Sequence, residues 1–141
     1  MSIYTIQEAV LDIPVAWRDQ SINIFVVGGP ELPMHLSFVI SRETLKQGVE
    51  LVDHVEGLLA DIGRKLRNFR MLGKRQVEVG GRPALEAEFT WVAEQSPMHQ
   101  RQQFVQLGSK VLVFTATAPV KISDEHNEQI DEMLAGVRFN D

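Results

Sequence analysis

The chain has no cysteine. That excludes disulfides, thiolate zinc sites and cysteine nucleophiles together, and it fits a reducing compartment. No stretch approaches the ~18–20 consecutive apolar residues of a membrane span. The first residues, Met1-Ser2-Ile3-Tyr4-Thr5-Ile6, have no basic region followed by an apolar core, so no secretory signal is expected. Basic residues are in deficit: 14 Lys and Arg against 19 Asp and Glu give a net charge of −5. Nucleic-acid binders usually show a basic face, so this balance argues against that class. These absences together predict a soluble, cytoplasmic protein.

Catalytic signatures are also missing. The histidines are His35, His54, His99 and His126, and no two stand at a metal-ligand spacing. There is no HExxH and no CxxC, so neither a metal nor a cofactor is expected. Gly28-Gly29 and Gly80-Gly81 lack the context of a phosphate loop and read as turns. Ser21, Ser37 and Ser41 have no GxSxG setting. Glu86 and Glu88 share a strand face, as acid–base pairs can, but a solvated sheet face is the expectation. Gly73-Lys74-Arg75 and Arg64-Lys65-Leu66-Arg67 read as solvated basic runs. Nothing recommends an enzyme.

What is present is a globular composition. The 141 residues are 44% apolar and 23% charged. A chain of that length defaults to one domain, spanning 1–141, with one sizeable core. Tyr4 to Ile13 alternates loosely and ends at Pro14, which predicts a first strand. Residues 14–19 read as a turn and 22–27 as a second strand. Gly28-Gly29-Pro30 through Pro33 reads as a loop. His35 to Ser41 alternates again and should pair antiparallel with 22–27.

The period then changes. Leu51, Val55, Leu58, Leu59, Ile62 and Leu66 make a helical stripe, predicting a helix over 48–67 with cations near its end. Strands are expected over 71–79, around Leu85–Trp91, over 100–107 and over 111–117. Ser123, followed by two acids, should cap a last helix whose stripe is Ile130, Met133, Leu134 and Val137. Three strands, a helix, four strands and a helix predict an α+β fold: a mostly antiparallel twisted sheet with two main helices packed on it.

The stretch Asp19-Gln20-Ser21-Ile22-Asn23-Ile24-Phe25-Val26-Val27 departs from ordinary strand patterning. Side chains alternate along a strand, so Ile22, Ile24 and Val26 point one way and Phe25 and Val27 the other. A sheet with one wet face would carry polar residues at every second position. Either both faces are covered by this chain, or one is kept apolar for a partner. Leu36, Phe38 and Ile40 make a rich face with Phe25 and Val27, the expected seat of the helices. Val39 stands among His35, Ser37 and Ser41, a mixed face unlike a dry core.

Leu11-Asp12-Ile13-Pro14, Trp17, Asp19 to Phe25, and Ser37-Phe38-Val39-Ile40-Ser41-Arg42 together resemble the Eag chaperones of bacterial type VI secretion. That family lies in the DcrB-like superfamily, related in fold to the Mog1 and PsbP proteins. The resemblance extends to the Gln-rich segment Gln100-Arg101-Gln102-Gln103-Phe104. It implies a non-catalytic homodimer that binds the N-terminal transmembrane helices of a secreted effector before export. Loading of that effector onto the spike, beside its PAAR domain and VgrG, is implied as well. By the same resemblance, Ile22, Ile24 and Val39 form the client-binding surface and Gln102 hydrogen-bonds the client. A second glutamine, on the first helix of some members, corresponds to Leu58. The competing readings are a binding module of the same fold with a different partner, and a small enzyme. The first would carry a charged binding face, the second a closed pocket with converging polar groups.

Overall fold

The computed structural model describes residues 2–27 and 36–140. Its elements are β1 (Ser2–Thr5), β2 (Val10–Ile13), β3 (Asn23–Val27), β4 (Leu36–Thr44), α1 (Leu51–Lys65), β5 (Arg70–Val79), β6 (Arg82–Ala93), β7 (Ser96–Leu107), β8 (Lys110–Pro119) and α2 (Asp124–Ala135). The loop expected over 28–33, and His35, lie outside the described residues. Six strands form one sheet in the order β3-β4-β8-β7-β6-β5, with every neighbouring pair antiparallel. The α+β class and the mostly antiparallel sheet expected from the sequence are therefore observed.

One strand was merged in the sequence reading. Residues 4–13 do not run through as a single strand. Ile6 N–H donates to the Ala9 carbonyl at 2.9 Å, which closes a turn and makes β1 and β2 a separate two-stranded hairpin. The loose alternation there reflects this turn, since Gln7-Glu8-Ala9 interrupts the period.

Local chemistry explains the other boundaries. Gly80 and Gly81 take φ of +57° and +80°, the pair of positive values that a two-residue hairpin requires. Gly80 is also pressed by the C-terminal segment: a Cβ there would lie 2.3 Å from the Val137 carbonyl oxygen. At α2, Ser123 Oγ accepts from His126 N–H at 3.1 Å, the cap expected from the sequence. α1 lacks a side-chain cap at Glu50, so packing of Val55 and Leu59 holds it, with Arg64 and Lys65 suiting its C-terminal dipole.

Alternation along the strands sorts the sheet into two faces, and each receives one helix. α1 lays Val55 and Leu59 on Ala87, Phe89, Phe104, Val111 and Val113. Phe69 adds a ring 5.0 Å from that of Phe89. On the opposite face, α2 lays Ile130 and Leu134 against Leu36, Phe38, Val105, Phe114 and Ala116.

The expectation that Phe25 and Val27 join that second core is not met. Phe25 is 57% exposed and Val27 39% exposed. β3 is an edge strand, and the short α2 does not reach it, so the core ends at Phe38 and the half-buried Ile40. All five residues of β3 are exposed, so neither of its faces is covered by the described residues.

Candidate functional site

The candidate site is the part of the α1-side face that α1 leaves open. Ile24 pairs with Val39, Val39 with Thr115, Thr115 with Gln102, and Gln102 with Ala87. Paired residues share a face, so these five form one row across β3, β4, β8, β7 and β6. Adjacent strands lie ~4.8 Å apart, so Val39 and Gln102, two strands apart, stand about 10 Å from each other. That is close to the ~10–12 Å width of a helix with its side chains.

Three of the four residues singled out in the sequence thus lie in one row. Ile24 is 65% exposed, while Val39 and Gln102 are half-buried. Ile22 precedes β3, is exposed, and has the same parity as Ile24. Leu58 is half-buried and packs on the α1 core. It lies one turn after His54, whose Nε2 is 3.5 Å from Glu43 Oε1 on β4, so Leu58 belongs to the side of α1 nearest the open face.

Gln102 is positioned by its neighbour. Its Nε2 donates to Thr115 Oγ1 at 3.2 Å, and its Oε1 has no partner. Turning the amide over would exchange the two ends, so either orientation leaves one end unpaired. An unpaired buried carbonyl costs ~1–3 kcal/mol.

The parallel row one step along the strands holds Val26, Ser37, Thr117, Gln100 and Phe89. Gln100 Oε1 accepts from Trp91 Nε1, while among the described residues the hydroxyls of Ser37 and Thr117 have no side-chain partner. Sequence reasoning had Ser37 on this face but missed Thr115 and Thr117. Their alternation with Val111 and Val113 was visible; which neighbours they join depended on the β4–β8–β7 register.

The α2-side face holds a different arrangement. Glu86 and Glu88, expected on a solvated face, lie under α2, and Glu86 is buried. Glu86 Oε1 accepts from Arg101 Nε at 2.6 Å and from Gln103 Nε2 at 3.0 Å. Arg75 bridges Glu86 and Glu88 at 3.1 and 2.7 Å. Arg101 also donates to Asn127 at 2.9 Å and to Asp131 at 2.8 Å, both on α2. His99 Nδ1 accepts from Ile122 N–H at 2.8 Å, so its proton sits on Nε2 and points at Glu88 Oε2, 2.6 Å away.

Burial pushes the Glu88 carboxyl up, but hydrogen bonds from His99 and Arg75 outweigh it and hold the group below the usual carboxylate range. Burial lowers Arg101, and its bonds to Asp131 and Glu86 more than restore it. The cluster fastens α2 to β5, β6 and β7. The sequence pattern concealed it because Arg75, Arg101 and Asp131 come from three separate elements.

Two further facts bound the chemistry. Among the described residues, no group of three or more His, Asp or Glu could hold a metal ion. Among them also, no helix is long and apolar enough to cross a membrane.

A six-stranded antiparallel sheet with one helix on each face, open at its β3–β4–β8 end, defines an α+β module of the Mog1/PsbP-like class. The Ran-binding protein Mog1p of Saccharomyces cerevisiae shares this fold, with a TM-score of 0.50 and 13% identity over 84% of this chain and 70% of that one. The chain belongs to the DcrB family, whose profile matches residues 8–136. It is 32% identical over 117 residues to the Pseudomonas aeruginosa protein named Effector EagT6, covering 83% of this chain and 81% of that one. It is also similar to the crystal structure of PA94, a P. aeruginosa protein of unknown function. There the TM-score is 0.82, with 29% identity over 100% of this chain and 98% of that one.

Proposed function

We propose that this protein is a non-catalytic, cytoplasmic chaperone-adaptor for a type VI secretion effector. It binds and shields the effector's N-terminal transmembrane helices and aids loading of the effector onto the PAAR/VgrG spike. The observation that carries this reading is the open row of Ile24, Val39 and Gln102. An exposed transmembrane helix presents ~20 apolar residues to water and aggregates. A floor about one helix wide, apolar at Ile24 and Val39 and polar at Gln102, answers that need. Each aliphatic side chain fully buried by the client contributes ~1.5–3 kcal/mol. The similarity to Effector EagT6 supports the link to effectors.

The working unit is a homodimer. The chain exposes 9897 Å². A compact monomer of 15.9 kDa exposes about 7,400 Å² by the surface–mass scaling. Much of the apolar excess lies early in the chain, at Ile3, Val10, Val15, Trp17 and the outer face of β3. A client on the α1-side face leaves Phe25 and Val27 open, and a second copy is the partner always present to cover them.

The direct test is co-expression with the N-terminal segment of a candidate effector. A soluble complex containing both chains is the expected result. A segment that stays insoluble with and without this protein, across effectors with N-terminal hydrophobic helices, refutes the reading.

A further inference from the structure

The cations of the chain are unevenly spread. Six of the 14 fall in residues 64–75: Arg64, Lys65, Arg67, Arg70, Lys74 and Arg75. No acid stands in that stretch, whereas the rest of the chain carries 8 cations against 19 acids. The stretch comprises the end of α1, the connection after it and the first part of the edge strand β5. All six side chains belong to exposed residues. Arg64 pairs with Asp61, Lys74 with Glu56, and Arg75 with Glu86 and Glu88. Arg67 donates to the Glu94 main-chain carbonyl at 3.3 Å, and Lys65 and Arg70 have no ion pair among the described residues. In their midst Leu72 is 51% exposed. A β-bulge between Met71 and Gly73 leaves it without a partner on β6.

We propose that this basic rim docks the protein on an anionic lipid bilayer, with Leu72 entering between the headgroups. Cations suit the C-terminal dipole of α1, and charges guard an edge strand against pairing. Neither role accounts for an exposed leucine among them, which a self-guarding edge avoids. Clustered Lys and Arg beside an apolar side chain is the combination that anionic membrane surfaces attract. A nucleic acid or an acidic protein segment would match the charge but leave Leu72 in water. The acids elsewhere do not cancel the rim, because exposed charges more than ~8 Å apart are largely screened at physiological salt. Each basic residue held near an anionic leaflet contributes about fivefold in partitioning. Lys65, Arg67 and Arg70 therefore supply about 100-fold together, enough for reversible docking. β3 lies five strand spacings from β5, or roughly 24 Å, so docking leaves the open face clear of lipid. Docking of this kind needs no client and is independent of helix binding.

Vesicle co-sedimentation without client tests this. Wild-type protein should bind phosphatidylcholine vesicles containing ~30% phosphatidylserine at ~0.1 M salt, and should bind pure phosphatidylcholine far more weakly. Lys65→Gln, Arg67→Gln and Arg70→Gln together should lower binding to the anionic vesicles about 100-fold, with urea unfolding close to that of wild type. Lys46→Gln, Lys110→Gln and Lys121→Gln remove the same charge from exposed positions elsewhere and should change binding less than tenfold. Leu72→Ser keeps every cation and should lower binding about fivefold, since about half of that side chain remains to be buried. Equal binding to both kinds of vesicle overturns the proposal, as does a rim variant that binds like wild type. So does an equal loss in the control variant, which would make net charge the cause. If Leu72→Ser binds like wild type and the rim variant loses double-stranded DNA as strongly as vesicles, the rim is a general polyanion surface and bilayer docking is overturned.

Discussion

Ile24→Asp separates a binding face from a core face. The side chain is 65% exposed on an edge strand, so little packing is lost with it. A surface substitution costs about 0.5 kcal/mol, and the unfavourable strand propensity of aspartate adds at most ~1 kcal/mol. Unfolding in urea should therefore shift by less than ~1.5 kcal/mol. Were Ile24 core, truncation to alanine alone would cost ~2–5 kcal/mol, and a buried carboxylate more. Binding should respond oppositely. About two-thirds of the side chain remains to be covered, which a client can convert into ~1–2 kcal/mol, or roughly 5- to 30-fold in affinity. Aspartate forfeits that gain and forces an unpaired carboxylate against an apolar helix, so the loss should exceed ~100-fold. The assays are urea unfolding, size-exclusion chromatography and recovery of co-expressed effector segment in the soluble fraction. A folded, dimeric variant that recovers the segment as well as wild type refutes the groove. An unfolded variant shows the face to be core.

Three further outcomes follow from the geometry. Phe89→Ala, at a fully buried ring tilted against that of Phe69, should lower stability by ~3–5 kcal/mol, read by thermal or urea unfolding. Gly80→Ala sets a Cβ 2.3 Å from the Val137 carbonyl oxygen at a φ of +57°, and should cost more than ~1 kcal/mol; unchanged unfolding would show that the C-terminal segment yields freely. Glu88 titrates lower when folded than its ordinary value of 4.5, so the folded state binds fewer protons than the unfolded one. Its contribution is complete above about pH 4.5 and fades as the pH falls through the folded-state value. The stability gap between wild type and Glu88→Gln should accordingly narrow on acidification in chemical-denaturation series.

Much of the fold was legible because period is a local property. The change from alternation to helical spacing at Leu51, the Ser123 cap and the Gly80-Gly81 turn each rest on a few neighbouring residues. The merged strand at 4–13 failed on equally local grounds, since one tight turn hides inside a loose alternation. Glu86 and Glu88 failed differently. Their alternation with Leu85 and Ala87 was read correctly, but what covers a face is a long-range fact. Arg75, Arg101 and Asp131 converge on them only when β5, β7 and α2 pack together.

The sequence alone determined that residues 22–27 form a strand apolar on both faces, because alternation assigns faces without any knowledge of neighbours. It could not say what covers them. The tertiary structure decided that the described residues cover neither. β3 falls at the edge of the sheet, and both helices pack nearer the centre. It also set Ile24, Val39, Thr115 and Gln102 side by side, since register across four strands is fixed by the packing of the whole sheet.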